Sequence, residues 1–290
     1  MSEERPLVSI LTPSFEQGAW LPDNLRSVAC QTYPRIEHIV MDGGSTDETI
    51  AWLESALGSV RWRSERDRGQ ADAINKAFAA SRGDIIGWIN SDDAYFDCEV
   101  VERVVAYFAA NPEIDVVFGH CIQTTADGRI IQVLWAPPFD ERLMHVVNAY
   151  SQPAGFMRRS ALSEPMLDDS FHFALDYELW LRLLSQGRRF GRLDRILAID
   201  RHQPERKSST MKDVNVSDLQ RLAEMYAVDV TPGADAERSA FYRKQRLFGA
   251  PLIPSIYRGR LAFSAPRDFK RGLWRRQIGS RRSRWPEVLR

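Results

Sequence analysis

The sequence predicts an α/β fold with a mostly parallel central sheet and helices on both of its faces. Between residues 8 and 119, short apolar runs alternate four times with stretches whose apolar residues have helical spacing. This alternation is typical of strand–helix–strand units with parallel strands. Several of the apolar runs end abruptly in small polar or acidic residues. Because ligands bind outside the carboxyl ends of such strands, we expect a cleft at these polar ends.

The first half of the chain contains the repeated units. Short runs rich in β-branched residues predict strands over Val8–Leu11, Ile36–Met41, Val60–Arg63, Ile85–Ile89 and Asp115–Gly119. Helical spacing of apolar residues predicts helices over Leu21–Ala29, from Ser45 towards Leu57, over Gly69–Ala80 and over Glu99–Ala109. Ser45 and Glu48 have the spacing of a capping box for the second of these helices.

The pattern changes after His120. Ile122–Thr125 and Arg129–Leu134 flank Asp127-Gly128, which is a signal for a hairpin turn. Further on, the sequence predicts strands over Ser151–Arg158 and Phe190–Ile199, a helix over Asp176–Gln186 that Gly187 ends, and a helix over Leu219–Tyr226. The polar run from Arg201 to Lys212 is predicted to be mobile and able to close over a bound ligand.

Composition indicates a soluble globular protein. The chain has 290 residues, of which 44% are hydrophobic and 27% are charged. Its three cysteines, Cys30, Cys98 and Cys121, are widely spaced and show neither metal-ligand spacing nor a disulfide framework. No run approaches the roughly 18 to 20 apolar residues that span a bilayer, and the N-terminus lacks an apolar segment of signal-peptide length. We therefore expect a cytoplasmic protein.

Charge is distributed unevenly along the chain. Residues 238–290 contain 15 Lys and Arg and two acidic residues, a net charge of +13, and the remainder carries −13. Because Trp, Phe and Tyr are interleaved with the arginines, we expect this tail to bind an anionic membrane surface, on the inner face of the cytoplasmic membrane. A tail packed on the acidic body is the alternative. The acidic body and the lack of a recognised motif argue against nucleic acid as a partner.

Two adjacent carboxylates stand at the end of the predicted strand Ile85–Ile89. Asp92 and Asp93 repel each other unless a cation lies nearby. Hard oxygen ligands suit Mg²⁺ or Mn²⁺, and such ions usually share their coordination shell with substrate phosphates. The sequence therefore predicts a divalent metal site here, with a capped strand end as the alternative. It contains no glycine-rich dinucleotide loop or Walker-type phosphate loop.

Five motifs, in this order and spacing, make the chain resemble family 2 of the inverting nucleotide-sugar glycosyltransferases, which have the GT-A fold. The motifs are Ser9–Phe15, Met41–Asp47, Glu65–Lys76, Asn90–Asp93 and Leu175–Trp180. The resemblance covers roughly residues 7 to 205. It implies a GT-A domain over residues 1–212, followed by a helical tail rich in Arg and aromatic residues over 213–290.

The resemblance assigns nucleotide-binding roles to residues at the strand ends. Thr12, Pro13 and Asp42 would hold the base, with Asp42 accepting a hydrogen bond from a uracil N–H, and Asp67 would approach the nucleoside. Asn90-Ser91-Asp92 matches the family's D-x-D motif with Asn at its first position. Asn90 and Ser91 would then contact the nucleotide. Many relatives have an Arg directly after the residue that corresponds to Ala73, whereas this chain has Ile74. Any phosphate or ribose contact made by that Arg must therefore come from another residue.

The resemblance also assigns the metal and the base. Asp92, together with Asp93, would bind Mn²⁺ or Mg²⁺, and His202 would reach the metal or diphosphate, with an ordinary surface histidine as the alternative. Asp176 matches the catalytic base, although Leu175 replaces its usual acidic predecessor.

The implied reaction is metal-dependent, inverting transfer of a sugar from a nucleoside diphosphate-sugar, a UDP-sugar above all. The implied acceptor is a hydroxyl on a cell-surface glycan or lipid-linked oligosaccharide, bound beside Ser151–Phe156. One alternative is a nucleotidyltransferase, which would need a glycine-rich basic loop where Ser14–Gln17 stands. The other is a catalytically silent nucleotide-sugar-binding module, against which the pair Asp92 and Asp176 argues.

Overall fold

A computed structural model describes residues 5–56, 58–128, 130–204 and 212–249. The strands in these ranges are β1 (Val8–Ser14), β2 (Ile36–Asp42), β3 (Arg61–Ser64), β4 (Ile85–Trp88), β5 (Ala94–Tyr95), β6 (Val116–Thr125), β7 (Ile130–Leu134), β8 (Gly155–Arg158) and β9 (Phe190–His202). The helices are α1 (Leu21–Ala29), α2 (Thr49–Ser55), α3 (Gln70–Ala80), α4 (Val100–Ala110), α5 (Glu141–Met144), α6 (Leu175–Ser185), α7 (Lys212–Tyr226) and α8 (Pro232–Gly249).

The strands of the described residues form one sheet in the order β3-β2-β1-β4-β8-β6-β9-β5, with β7 paired to the second half of β6. The strands β3, β2, β1 and β4 are parallel, and β6 and β9 run in the same direction across the antiparallel β8. The prediction of an α/β fold on a mostly parallel sheet is therefore confirmed. Ser14 pairs with Asp42, so the polar ends of β1 and β2 lie side by side.

The core lies on both faces of this sheet. All seven residues of β1 are buried, as expected for a central parallel strand. One apolar cluster joins β1 to α1 and α4, and includes Val28 and Val104. A second cluster, on the other face, joins the sheet to α3 and α6 and includes Ile74 and Leu179. The predicted arrangement of helices on both faces is confirmed.

Two strands run further than the sequence predicts. β6 continues past Gly119 to Thr125 and forms the predicted hairpin with β7, whose turn places Gly128 at φ 82°. β9 continues past Ile199, because it stays in parallel register with β6 as far as the pair Thr125–His202. The run predicted to be mobile from Arg201 therefore begins as buried strand, and its residues 205–211 lie outside the described residues.

The predicted capping box of α2 is wrong. Ser45 Oγ donates to Asp42 Oδ1 at 2.5 Å, and Glu48 makes no side-chain cap. The buried Asp42 carboxylate attracts the Ser45 hydroxyl, so Asp47 takes over the helix start and accepts from Thr49 N at 3.0 Å. Asp47 also accepts from Gly18 N at 2.7 Å, and these hydrogen bonds, outweighing its burial, lower the pKa of its carboxyl group.

The absence of a disulfide framework, predicted from cysteine spacing, is also wrong. Cys30 at the end of α1 and Cys98 before α4 form a disulfide with their Cα atoms 5.2 Å apart. The backbone of Thr32 bonds to Cys98 O at 2.7 Å, so the fold brings together two segments that are 68 residues apart in sequence. Cys121 is a buried free cysteine.

The helices α7 and α8 pack against the rest of the described fold. Leu222 of α7 and Val228 belong to the same apolar cluster as α6, and α8 packs against β7. A domain boundary after residue 212 stays a prediction. No helix in the described ranges combines the length and hydrophobicity that a membrane span requires. Residues 250–290, most of the predicted basic tail, lie outside the described residues.

Candidate active site

A cleft of about 1100 Å³ opens at the carboxyl ends of β1, β2 and β4. Seven of the predicted site residues line it, namely Pro13, Asp67, Asn90, Ser91, Asp92, Asp93 and Asp176. Thr12, Asp42 and His202 do not line it. The cleft therefore brings together the predicted metal-binding and base residues, and leaves three predicted contacts outside its wall.

Asp42 shapes the cleft from behind its wall. Its side chain is almost fully buried, and Oδ2 accepts from Gly44 N at 3.0 Å, Ser45 N at 2.8 Å and Ser64 Oγ at 2.6 Å. These bonds fold the Gly43–Ser45 loop back onto the end of β2. Gly44 lines the cleft at φ 86°, a backbone conformation that favours glycine.

Thr12 is also a buried support. Its Oγ1 lies 3.0 Å from Nε2 of His38 on the neighbouring strand β2. Burial lowers the pKa of His38 to about 3, so the imidazole is neutral at physiological pH. The pair fixes the ends of β1 and β2 directly beneath Pro13, which does line the cleft.

Phe15 and Asp67 form one end of the cleft. Phe15 is 60% exposed although it is a large aromatic side chain. A Cβ placed on Gly43 would lie 3.1 Å from both Phe15 Cδ2 and Asp67 Oδ2, so glycine at this position lets the ring and the carboxylate approach each other. An open aromatic face beside a hydrogen-bond acceptor suits a nucleobase. Phe15 ends the motif Ser9–Phe15, but no role was predicted for it; the available signal was an aromatic residue directly after a strand end.

Asn90 is held by a network that requires an amide. Its Oδ1 accepts from Gln70 Nε2 at 2.7 Å and from Trp88 Nε1 at 3.0 Å. Its Nδ2 donates to Gln152 Oε1 at 3.0 Å and approaches Asp93 Oδ2 at 3.4 Å. A carboxylate here would place an oxygen against two acceptors, which explains why Asn replaces Asp at the first position of the motif.

The two adjacent carboxylates have different surroundings. Asp93 is 4% exposed and its Oδ1 accepts from Arg201 N at 3.1 Å, so it ties the loop after β4 to β9. Asp92 is partly exposed on the cleft wall, where its Oδ2 accepts from Gln203 Nε2 at 3.2 Å. Arg201 in turn bonds to Asp23 Oδ2 at 2.7 Å.

Within the described residues, no group of three or more His, Cys, Asp or Glu side chains could hold a metal ion. His202 is on the exposed side of β9, with Nε2 3.9 Å from Asp200 Oδ2. The structure therefore does not bring His202, Asp92 and Asp93 together as a ligand set. Mg²⁺ is usually held by one or two carboxylates and by substrate phosphates, and a cleft-lining Asp92 fits that kind of shared site.

Asp176 stands in the first turn of α6. Its Oδ2 accepts from Asn148 Nδ2 at 3.0 Å, and its Oδ1 accepts from Tyr177 N at 2.8 Å. A carboxylate at a helix N-terminus is favoured by the macrodipole. The carboxylate is partly exposed and lines the same cleft as Asp92. It can therefore receive a proton from a ligand bound in the cleft.

The loop before Asp176 is held from a distant helix. Asp218 of α7 is buried, and its Oδ2 accepts from the backbone N–H groups of His172, Phe173 and Ala174 at 3.2, 2.8 and 3.0 Å. Three donors to one carboxylate oxygen fix the entry into α6. Sequence reasoning missed Asp218, because nothing local marks an acid that acts across more than 40 residues.

Residues 9–175, more than half of the chain, match the model described as Glycosyl transferase family 2. The chain is 36% identical over 116 residues to an uncharacterized glycosyltransferase of Mycobacterium tuberculosis, which covers 39% of this chain and 44% of that protein. It is 31% identical over 159 residues to a PGL/p-HBAD biosynthesis glycosyltransferase of Mycobacterium bovis, 53% of this chain and 60% of that protein. The chain thus spans about half the length of the curated relatives it matches.

Two solved structures have the same fold. S. aureus TarS in complex with UDP-GlcNAc superposes with a TM-score of 0.59 at 18% identity, over 92% of this chain and 81% of that one. A mannosyltransferase of Pyrobaculum calidifontis in complex with GDP-Man and Mn²⁺ gives a TM-score of 0.59 at 18% identity, over 92% and 76%. At this identity the likeness concerns the fold alone.

Proposed function

This chain belongs to glycosyl transferase family 2, and we propose that it moves a sugar from a nucleoside diphosphate-sugar to an acceptor hydroxyl with inversion at the anomeric carbon. The observation that supports this proposal most is that Asp92 and Asp176 line one cleft from different elements. Asp92 follows β4, and Asp176 lies in the first turn of α6. A diphosphate at the first carboxylate and an acceptor hydroxyl at the second would leave the transferred sugar between them.

We assign the nucleotide to the end of the cleft formed by Phe15 and Asp67. The exposed ring of Phe15 would stack on the base, and Asp67 would accept a hydrogen bond from a uracil N–H. Asp42 is already engaged by the loop that it folds, so its role is to shape that loop. A UDP-sugar is our preferred donor, and the TarS complex with UDP-GlcNAc is consistent with this choice.

The diphosphate would lie against Asp92. Bound Mn²⁺ or Mg²⁺ would supply a Lewis acid that neutralises negative charge on the leaving diphosphate. Asp92 would hold this ion together with the phosphates, and Gln203 keeps the carboxylate in place. Asp93 and Asn90 would act as supports of the loop, because their side chains are bound to Arg201, Gln70 and Gln152.

Asp176 would act as the general base. As the acceptor oxygen forms a bond to the anomeric carbon, its proton passes to Asp176, and the bond from that carbon to the diphosphate oxygen breaks. A single displacement of this kind needs no enzyme nucleophile and inverts the anomeric centre. Asn148 donates to Asp176 Oδ2, which orients the carboxylate before the proton arrives.

A thermal-shift panel of UDP-, GDP- and dTDP-sugars, each with and without Mn²⁺, tests the donor assignment. We expect the melting temperature to rise with a UDP-sugar, and to rise further with Mn²⁺. Chromatography of the reaction products then separates the alternatives. Supplied with a nucleotide-sugar and an acceptor, a glycosyltransferase releases the nucleoside diphosphate, and a silent binding module releases nothing. A nucleotidyltransferase would release pyrophosphate only when it is given a nucleoside triphosphate and a sugar phosphate, which form a second reaction mixture.

We further propose that residues 250–290 attach the enzyme to an anionic membrane, where a glycan or lipid-linked glycan acceptor would be presented. The support is their Arg- and Trp-rich composition. Sedimentation with phosphatidylglycerol vesicles compares the full chain with a chain that ends at Gly249, which keeps α8 intact. Equal sedimentation of the two proteins would contradict membrane attachment through this segment.

A further inference from the structure

Several apolar side chains line the cleft near Asp176. Phe173 and Leu175 precede it in the chain, and Ala149 follows Asn148, which bonds to Asp176. Leu134 of β7 and Phe241 and Tyr242 of α8, which packs on β7, line the same cleft. Asn148 is a polar neighbour, and its amide is engaged by the Asp176 carboxylate. Tyr150 also lines the cleft, but its hydroxyl donates to Pro138 O at 3.3 Å. A ligand that approaches the base can therefore contact several carbon surfaces, besides the polar residues that also line the cleft, such as Ser151 and Gln152.

Two aromatic rings of this wall come from α8. Phe241 is partly buried against the core cluster that includes α6, and Tyr242 is 43% exposed. Their ring centroids are 5.5 Å apart in an edge-to-face arrangement. Burial within the cleft raises the pKa of the Tyr242 hydroxyl, and the negative charge of Asp176 raises it further, which agrees with a position close to the base.

These rings lie outside the part of the chain shared with the family. The match to the family ends at residue 175, and α8 begins at Pro232. The nucleotide end of the cleft is built from the shared part, whereas the wall beside the base contains residues from a later helix. This division suits a donor site within the family match joined to an acceptor site that a later helix completes.

We propose that the acceptor is amphipathic, with an alkyl or aryl group next to the hydroxyl that receives the sugar, and that Phe241 and Tyr242 bind this apolar group. The inference rests on the proposed function, because Asp176 identifies this end of the cleft as the acceptor end. A glycan acceptor without any apolar group would leave hydroxyl groups unpaired against these side chains, and unpaired buried polar groups are unfavourable. An apolar group instead gains from leaving water.

Binding of alkyl glucosides tests the proposal without donor or turnover. Methyl, n-butyl, n-hexyl and n-octyl β-glucoside are titrated into the full-length protein by calorimetry, below their micelle concentrations. We expect the affinity to rise with chain length by up to about fourfold per methylene. Phenyl β-glucoside distinguishes an aryl from an alkyl preference. Equal affinity for the methyl and octyl compounds would overturn the proposal.

Variants test whether residues of α8 cause the dependence of affinity on alkyl chain length. Tyr242→Ala and Phe241→Ala should each reduce octyl glucoside affinity by about tenfold and leave methyl glucoside unchanged. Trp52→Ala, which removes a 39% exposed aromatic on α2 outside the cleft, is the matched control and should bind like the parent. Because the Tyr242 side chain is 43% exposed whereas Phe241 packs against the core, the Tyr242 variant is expected to fold even if Phe241→Ala does not. An unchanged chain-length dependence in Tyr242→Ala and Phe241→Leu would contradict the assignment.

Asp176→Asn separates this inference from the proposed function. It should retain the chain-length dependence of binding, since the apolar wall is intact, while it loses transfer. Chain-length-dependent binding in a protein that shows no transfer with any donor would refute the proposed function and leave the apolar site standing. Sugar transfer to acceptors with no dependence on alkyl chain length would refute the apolar acceptor site and support the proposed function.

Discussion

The Nδ2 atom of Asn148 lies 3.0 Å from Oδ2 of Asp176, so an amide from the segment before β8 holds the carboxylate at the head of α6. This contact fixes one carboxylate oxygen by a donor that cannot itself take up a proton. It leaves the carboxylate facing the cleft that Asp92 also lines. The contact with Asn148 gives the proposed base a defined orientation. Substitutions at Asp176 can therefore be tested separately from substitutions in the nucleotide-sugar site.

Replacing Asp176 with Asn should remove the general base while keeping the side-chain shape. We expect kcat for sugar transfer to fall by about 10²- to 10⁴-fold, with donor affinity nearly unchanged. Steady-state kinetics and donor titration measure the two quantities. Asn148→Ala is the comparison, and should lower kcat less, because the carboxylate remains but is less well oriented. Near-normal transfer by Asp176→Asn would show that another group accepts the proton.

Replacing Asp92 with Ala should abolish the effect of Mn²⁺ on donor binding. We expect kcat/KM to fall by about 100-fold or more, because the cleft loses the carboxylate assigned to the metal and diphosphate. Donor titrations with and without Mn²⁺ provide the measurement. His202→Ala is the matched control, since His202 does not line the cleft, and it should keep the response to Mn²⁺. The assignment fails if Asp92→Ala still binds donor more tightly when Mn²⁺ is added.

Restoring an acid at the first motif position, by Asn90→Asp, should destabilise the protein. The new oxygen would face Gln152 Oε1 at the 3.0 Å distance that Nδ2 now spans. Gln152 cannot rotate its amide without losing its own bond to Trp88 O at 2.5 Å. We expect a loss of about 2 kcal/mol in the free energy of unfolding, measured by urea denaturation.

A double variant checks this explanation. Adding Gln152→Glu to Asn90→Asp should not restore stability, because it puts two acids together. Adding Gln152→Met, which removes the opposing oxygen, should restore part of it. If Asn90→Asp is as stable as the parent at pH 7, the amide network does not explain why Asn stands at this position.

The strand ends were the part of the site that the sequence could locate. Asn90–Asp93 follow an apolar run, a pattern that depends only on neighbouring residues, and the family resemblance assigned Asp67 to the nucleotide. Both line the cleft. Asp218, which caps the loop before Asp176, acts across the fold and leaves no local signal. The same holds for the disulfide between Cys30 and Cys98, whose partners are brought together by packing.

The sequence also could not predict how each acid is engaged. Asp42 and Asp92 both follow strands that end at the same edge of the sheet, but Asp42 is surrounded by Gly44, Ser45 and Ser64. Whether a carboxylate is hydrogen-bonded by its own loop or faces the cleft depends on the positions of a few hydrogen-bond donors in the folded protein. Phe241 and Tyr242 illustrate the remaining difficulty, because their place beside Asp176 follows from the packing of α8 on β7.

The buried His38 should make the protein less stable in mild acid. Burial lowers the pKa of His38 to about 3 in the folded state, from its ordinary value of 6.5. The unfolded chain therefore binds a proton below pH 6.5 that the folded protein does not bind. Stability from this residue is fully present above pH 6.5 and is lost as the pH falls from 6.5 towards 3, by about 2 kcal/mol at pH 5.

Urea denaturation at pH 7.5 and pH 5.0 gives the loss of unfolding free energy between the two pH values. Because titrating carboxylates contribute to this loss in the parent and in a His38 variant alike, the effect of His38 is the difference between the two proteins. His38→Gln keeps a polar group beside Thr12 Oγ1 but cannot titrate, so its loss of stability between the two pH values should be about 2 kcal/mol smaller than that of the parent. His172→Gln removes an exposed histidine instead and should keep the parent's full loss. If His38→Gln and the parent lose the same free energy, the buried imidazole does not resist protonation, and its contact with Thr12 is not the neutral pair that fixes the ends of β1 and β2 beneath the cleft.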